Sequence, residues 1–240
     1  MSRAGSTQLS PDDTVLSPSR WPAWSVLAAL VAVAAVTVFS LARYPANLRD
    51  PAAPLSITAL CALVAGYLGL TVWVLRRPAA GHVLGTWIGL AAAGAWSVEL
   101  WAGGPARLDR SMEQALGATF ALLAVVLTVA AGIVAGLSTR RPGAAFGAGA
   151  FAGLVSGATV FCFAVVMTLT NLDVLASRDD YRHQFATSPS HPADIATFLV
   201  GDILAAGIAH LAINLILGLT GAALGAAVAV LLNRTSKTTA

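Results

Sequence analysis

The last apolar run of the chain, 195–232, carries a stripe of residues at four-residue spacing, which places side chains on one face of a helix. The stripe consists of Asp202, Ala206, His210, Asn214 and Gly218. Polar groups cost free energy in hydrocarbon, so a carboxylate, an imidazole and an amide in such a run are candidates for proton transfer or ligand binding.

Helix geometry predicts how deep these side chains lie. A rise of about 1.5 Å per residue puts Asn214 roughly 27 Å from the end of the run, and Glu99 roughly 26 Å from the start of the third run, against a core of about 30 Å. His210 then lies at the interface and Asp202 well outside. We predict an outer-leaflet polar cluster of Glu99, His210 and Asn214. It is either a proton-sensing or ligand-binding pocket, or three side chains that simply reach headgroups and water, which is the simpler interpretation.

A second group of polar side chains precedes the last run. Asp179 and His183 are spaced i, i+4 on a possible helix, with His191, Asp194 and Asp202 farther along. This possible extracytoplasmic surface site has side chains that bind divalent metals, but a solvated polar helix face shows the same spacing and is far commoner. No metal site and no cofactor are therefore predicted.

A serine and a histidine also occur in apolar runs. Ser156, within 153–157, and His210 resemble the serine/histidine dyad of the rhomboid proteases, and this resemblance implies an intramembrane serine hydrolase. The chain departs from that family at Leu154, where a glycine is expected, and its His-x-x-x-Asn pattern at 210–214 includes the would-be catalytic histidine. The helix rise also separates Ser156 and His210 by roughly 13 Å in height. A nucleophile and its base must approach within hydrogen-bonding distance, so no catalytic residue is predicted.

Composition defines the class of protein that must position these residues. Of 240 residues, 57% are hydrophobic and only 10% are charged, which predicts an all-α integral membrane protein. The 14 Lys and Arg residues stand in ones and twos at the ends of apolar runs, so nucleic acid is not a predicted partner. Cys61 and Cys162 lie inside apolar runs without metal or redox spacing. The alanine-rich composition, with Lys237 as the one lysine, indicates GC-rich coding and a bacterial plasma membrane.

Six apolar runs are close to or above the roughly 20 residues that cross the hydrocarbon core as a helix. They predict a six-helix transmembrane domain over 21–234, with spans at about 22–42, 55–75, 82–101, 115–137, 144–170 and 208–232. Residues 1–20 are predicted to be a disordered cytoplasmic tail and 235–240 a second cytoplasmic tail. The capping-box spacing of 111–114 predicts the start of the fourth helix.

Arginine without acidic neighbours indicates the orientation. Arg76-Arg77, Arg140-Arg141 and the tail after 232 hold basic residues and no acids, so the positive-inside rule places both termini in the cytoplasm. The 171–207 connection is then an extracytoplasmic, partly helical segment. Tyr181 and Phe185 share one face of it, which suits a helix lying on the membrane surface.

Glycines at four-residue spacing predict how the helices pack. Small residues let helix backbones approach closely in lipid, where no hydrophobic effect drives association. The predicted packing positions are Gly85, Gly89, Gly149, Gly153, Gly157, Gly221 and Gly225. The third and fifth runs match at an offset that aligns Gly85 with Gly149 and Gly89 with Gly153. This match indicates either a duplicated two-helix unit or two turns with the same packing needs.

Three function classes remain. The first is an accessory, sensory or assembly subunit that presents its extracytoplasmic segment, with membrane lipid and a membrane-protein partner or a second copy as partners. It requires neither a mid-membrane charge nor a catalytic set. The second is a small transporter or channel, which usually places ionisable groups near the bilayer midplane. The third is the intramembrane hydrolase, and we expect no enzyme.

Overall fold

The computed structural model describes residues 21–76 and 81–238, with side chains through residue 235. All regular secondary structure in these ranges is helical. The helices are α1 (Trp21–Arg43), α2 (Ala53–Leu75), α3 (Gly81–Gly103), α4 (Arg110–Thr139), α5 (Pro142–Thr170), α6 (Leu172–Ala176), α7 (Asp179–Thr187) and α8 (Ile195–Thr238), with a 3₁₀ turn at Pro45–Arg49 between α1 and α2.

Six of these helices, α1 to α5 and α8, are long and apolar enough to cross a membrane, which confirms the predicted number of apolar helices. Two of them, α4 and α8, begin five or more residues before their predicted starts at 115 and 208. α4 begins at Arg110 because Asp109, not Ser111, is its N-cap and accepts the backbone N–H groups of Ser111 and Met112. The pKa of the Asp109 carboxyl is lowered by these hydrogen bonds, chiefly by that from the Ser111 hydroxyl and next by that from the Met112 amide.

The last helix differs more from its predicted span of 208–232. α8 is one continuous helix of 44 residues, and it begins where the Asp194 carboxylate accepts the backbone N–H of Thr197 at 2.7 Å. Residues 195–207 are therefore the first turns of α8 rather than part of a separate segment. The helix also continues to Thr238, through most of the predicted tail at 235–240. The predicted tail at 1–20 lies outside the described residues, as do Arg77 and Pro78.

The chain alternates between two ends of the bundle. The basic end is formed by Arg76, the α4–α5 turn at 139–142 and the last turns of α8. The loop end is formed by the connections 44–52, 104–109 and 171–194. At the basic end Arg140 adopts a left-handed conformation, φ 52°, and its carbonyl oxygen accepts a hydrogen bond from Asn233 at 2.9 Å. This cap lets α5 start at once at Pro142.

α5 is the central helix of the bundle. It packs against α8, α3, α4 and α1, and α4 packs against both α3 and α8. Of its 29 residues, 20 are buried, and most of these are Ala, Gly or Val. Small side chains on all sides permit several helices to approach one axis, so α3, α4, α5 and α8 form a four-helix core with α1 and α2 outside it.

Glycine provides the closest contacts in this core. A Cβ atom on Gly85 or Gly89 would collide with the backbone of Ala148 or Ala152 on α5, and one on Gly149 would collide with Ala222 on α8. Backbone collisions are also expected at Gly153 of α5, with Asn214 and Gly218, and at Gly221 and Gly225 of α8, with Val129 and Gly132. At Gly157 a Cβ atom would instead meet the Tyr67 hydroxyl. The prediction of close helix packing through small residues is confirmed.

The aligned glycines of the third and fifth runs occupy equivalent places in successive contacts. Gly85 of α3 faces α5, and Gly149 of α5 faces α8. α5 thus receives the glycine row of α3 at Ala148 and Ala152 and presents its own glycine row to α8. The offset in the sequence corresponds to a repeated mode of packing.

The connection between α5 and α8 is partly helical, as predicted, and contains α6 and α7. Part of the apolar face of this connection packs against the bundle. Phe185 of α7 packs against Phe198 of α8, with ring centroids 6.0 Å apart, and Leu175 of α6 is buried. α7 thus packs on α8 through Phe185.

Candidate functional site

Trp96 links two helices on opposite corners of the four-helix core. Its indole Nε1 donates a hydrogen bond to Oδ1 of Asn214 at 3.2 Å. Its ring also meets the His210 imidazole edge to face, with centroids 5.0 Å apart and an interplanar angle of 88°. Trp96 comes from α3, whereas His210 and Asn214 lie one turn apart on α8. The indole thus joins two of the three residues predicted to form the polar cluster.

Asn214 is completely buried, and both ends of its amide are used. Nδ2 donates to the His210 carbonyl oxygen at 2.9 Å while Oδ1 accepts from Trp96. Tyr67 of α2 donates its hydroxyl to the Leu211 carbonyl oxygen at 2.9 Å, and that hydroxyl lies against Gly157. Tyr67, Trp96, His210 and Asn214 therefore form one continuous polar layer across the bundle, in which buried donors have acceptors.

Glu99 lies one turn beyond Trp96, toward the loop end. It is half-buried, and it is close enough to His210 for the two charges to interact. Its Oε2 atom is buried and accepts no hydrogen bond from the described residues. The His210 Nδ1 atom lies 2.9 Å from the Ala206 carbonyl oxygen. An unsatisfied carboxylate oxygen beside an imidazole can bind a proton or a hydrogen-bond donor.

The structure thus brings Glu99, His210 and Asn214 into one region. Trp96 contacts two of them, His210 and Asn214, and the height along the helix axes did not reveal these contacts. The only sequence signal for Trp96 was its position three residues before Glu99, which places both on one face of α3.

Asn214→Leu should destabilise the bundle by about 1 kcal/mol, because the buried indole N–H of Trp96 loses its acceptor while the branched shape of the side chain is kept. The free energy of unfolding in detergent measures this effect. A double-mutant cycle with Trp96→Phe tests the pair, since the two losses should be less than additive. Strictly additive losses would show that the two side chains are not coupled.

The predicted surface site is not assembled at the loop end. Asp179, His183 and His191 are exposed, and among the described residues no group of three or more His, Cys, Asp or Glu side chains converges as metal ligands would. The Asp194 carboxylate caps α8 through both Thr197 donors, the backbone N–H and the hydroxyl. Asp202 lies on an exposed face of α8. Asp179 and His183 remain one turn apart on α7, and no three of these five described residues converge as metal ligands would.

The serine and histidine of the rhomboid resemblance do not meet. Ser156 is completely buried, and its hydroxyl has no hydrogen-bond partner among the described residues. The His210 ring instead contacts Trp96 and the Ala206 carbonyl oxygen. The arrangement therefore lacks the hydrogen bond by which a base activates a serine.

Arg178 organises the loop end, and sequence reasoning missed its role. Nη1 donates to the Gly104 carbonyl oxygen at 2.6 Å, which joins the segment before α7 to the end of α3. Nη2 forms an ion pair with Glu113 of α4 at 3.3 Å, and the guanidinium binds Asp180 through two hydrogen bonds of 3.0 and 2.8 Å. No local spacing relates Arg178 to Gly104 or Glu113, so no sequence pattern revealed these contacts.

The electrostatics of this contact follow from its geometry. The hydrogen bond with Arg178 lowers the pKa of the Asp180 carboxyl, and the same hydrogen bond raises the pKa of the guanidinium. The Arg178 guanidinium also lies over the Tyr181 ring, 5.5 Å from its centroid, and burial raises the pKa of the Tyr181 hydroxyl. Because Arg178 and Asp180 are both charged, the hydrogen bonds between them are stronger than bonds between neutral groups. We call Gly104, Glu113, Arg178 and Asp180 the arginine latch.

Comparison of the chain with protein-family models, with curated proteins and with solved structures found no match. The function therefore has to be argued from the geometry of the site.

Proposed function

We propose that this chain is a multi-pass plasma-membrane protein without catalytic machinery, an accessory, sensory or assembly subunit that presents residues 171–194 to a partner outside the cytoplasm. The six apolar helices support membrane insertion. The arginines of the basic end favour a cytoplasmic location for that end and for both termini. The segment at 171–194 then faces out.

The arginine latch is the observation that carries the proposal. A connection of this length with few apolar residues gains little from burial and would ordinarily be mobile. Here Arg178 attaches it to α3 and α4, and Phe185 attaches it to α8. A fixed conformation lowers the entropic cost of binding, so such a segment is suited to recognition.

The exposed face of α7 supplies the surface for that recognition. Asp179, Arg182, His183 and Gln184 are exposed, while Tyr181 and Phe185 turn toward the bundle. Arg182 is held by a hydrogen bond from Nε to the Ala176 carbonyl oxygen at 3.0 Å. Both signs of charge and an imidazole therefore project from one short, supported helix, which suits a polar protein partner.

The other function classes receive less support. Backbone contacts at Gly132 and Gly225, and at Gly149 and Ala222, close the basic-end half of the core where a transport path would have to run. Among the polar groups, Glu99 lies toward the loop end, the polar layer lies near the middle of α5, and His82 and Thr86 of α3 are buried toward the basic end. For hydrolysis, Ser156 has no activating base among the described residues.

Site-specific photo-crosslinking in native membranes tests the proposal. A photoreactive amino acid in place of His183 should give one discrete adduct, identified by mass spectrometry, and the same probe in place of Leu122, an exposed apolar side chain of α4, should not. Arg178→Ala should reduce the His183 adduct several-fold because the segment loses its fixed conformation. Equal labelling from both positions, or no adduct at His183, would contradict presentation of this segment.

A further inference from the structure

A cleft opens at the loop end between α2 and the rest of the bundle. α2 has three buried residues, Tyr67, Thr71 and Val74, and all lie in the half nearer the basic end. The half of α2 that follows Ala53 has none. Tyr67 thus attaches α2 to α8 near its middle, while its first turns do not pack closely on the core.

The cleft has a volume of about 170 Å³. Its walls are Ile57 and Leu60 of α2, Phe161 of α5, and Leu204 and Ile208 of α8. The size compares with engineered apolar cavities of about 150 Å³, which exclude water and bind benzene. Empty apolar space forfeits dispersion contacts, so a cleft of this kind at the side of a membrane helix bundle favours an apolar chain.

The mouth of the cleft is polar. The connection between α1 and α2 places Asn47 and Asp50 there, with Ser56 at the start of α2 and Thr37 on α1. Asp50 Oδ1 accepts the Ala52 backbone N–H at 2.7 Å, which fixes the carboxylate at the rim. A carboxylate above an apolar cleft favours a cationic group attached to an apolar chain.

Asn47 supplies the second polar contact. Its side chain packs on Gly201 of α8, where a Cβ atom would lie 2.8 Å from Asn47 Oδ1. Its Nδ2 atom is buried and has no hydrogen-bond partner among the described residues. Buried donors are rarely left unpaired, so this amide has a place for an acceptor oxygen from a ligand.

We propose that this cleft binds an amine-bearing phospholipid. One acyl chain lies among Ile57, Phe161 and Ile208, the headgroup ammonium bonds to Asp50, and Asn47 Nδ2 donates to a phosphate or ester oxygen. The apolar walls match the acyl chain, the buried Asn47 donor matches the phosphate or ester oxygen, and the Asp50 carboxylate at the rim matches the ammonium group. The inference is independent of the partner proposed for α7.

Native mass spectrometry of the full-length protein with equimolar phosphatidylethanolamine and phosphatidylglycerol of identical acyl chains tests this site. The wild-type protein should retain the ethanolamine lipid about tenfold over the glycerol lipid, the effect of one hydrogen bond to a charged group. Asp50→Asn should bring the ratio close to one because the carboxylate charge is lost while Oδ1 remains. Asp173→Asn, at an exposed carboxylate of the same end, should keep the wild-type ratio.

A second pair of variants tests the location. Ala205→Phe should fill the cleft, which Ala205 lines, and reduce the total retained lipid several-fold. Ala209→Phe places the same side chain one turn along α8 at an exposed position outside the cleft lining, and should retain as much lipid as wild type. Equal retention of the two lipids by the wild type, an unchanged ratio in Asp50→Asn, or equal lipid in the two phenylalanine variants would each overturn the proposal.

Discussion

Gly153→Leu is expected to prevent the bundle from folding to a stable state in detergent. A Cβ atom at Gly153 would collide with the Asn214 carbonyl oxygen and lie 2.9 Å from Gly218 Cα. These are backbone atoms of α8, so no side-chain rotation relieves the clash, and α5 must move away from α8. Overpacking that displaces side chains costs about 1–3 kcal/mol, and displacing a helix should cost at least about 3 kcal/mol. Monodisperse yield and Tm in detergent measure the loss.

Gly94→Leu is the matched control for this prediction. Gly94 also lies in a long apolar helix, α3, but a Cβ atom there meets nothing within 4 Å. Leucine is the better helix former by somewhat less than about 1 kcal/mol, so this variant should fold with wild-type yield or slightly better. If Gly153→Leu also kept wild-type yield and Tm, the close approach of α5 and α8 would be refuted.

Arg178→Ala is expected to release the loop-end segment from the bundle while the six long helices stay folded. The substitution removes the bonds to Gly104, Glu113 and Asp180 at once. It also leaves Glu113, which is partly buried, without its cation. A hydrogen bond to a charged group contributes about 1.5–3 kcal/mol, so opening of 172–187 should become at least about tenfold more frequent. Amide hydrogen exchange of that segment measures the change.

Arg182→Ala is the control for the latch. Arg182 is exposed and donates to Ala176 within the same segment, so its loss should leave exchange of 172–187 within about threefold of wild type, as for other exposed charges. Comparable exchange in the two variants would show that the contacts to α3 and α4 do not hold the segment.

Acid should weaken the same latch. The folded-state pKa of Asp180 is below its ordinary value, so its contribution is complete above an ordinary aspartate pKa of about 3.9 and is lost as the pH falls toward the lowered folded value. Asp180 is half exposed, which limits the effect. Below about pH 4, exchange of 172–187 in the wild type, corrected for the intrinsic pH dependence of exchange, should rise toward that of Arg178→Ala but stay slower, because Arg178 still donates to the Gly104 carbonyl oxygen. A constant difference between the two proteins at every pH would contradict this role of Asp180.

The candidate site shows where sequence reasoning stops. The fixed helix rise predicted a similar height for Glu99 and Asn214; Glu99 lies one turn beyond Trp96 toward the loop end, and Asn214 packs on Gly153 and Gly157 in the middle of α5. The helix rise could not show that Trp96 reaches from α3 to α8, because that contact depends on how each helix is rotated about its axis and on the length of the side chain. The five polar residues of the predicted surface site, in contrast, were grouped by nearness in the chain, and among the described residues no three of them converge as metal ligands would.

Sequence alone determined the six apolar helices and the close approach at glycine. A chain that must satisfy its backbone hydrogen bonds in hydrocarbon has to form helices of sufficient length, and rows such as Gly149 and Gly153 permit contact whatever the neighbour is. Only the tertiary structure decided that α5 lies at the centre and that Arg178 holds the loop end. These features depend on contacts between residues far apart in the chain, and such contacts follow from how whole helices pack, which residue spacing does not encode.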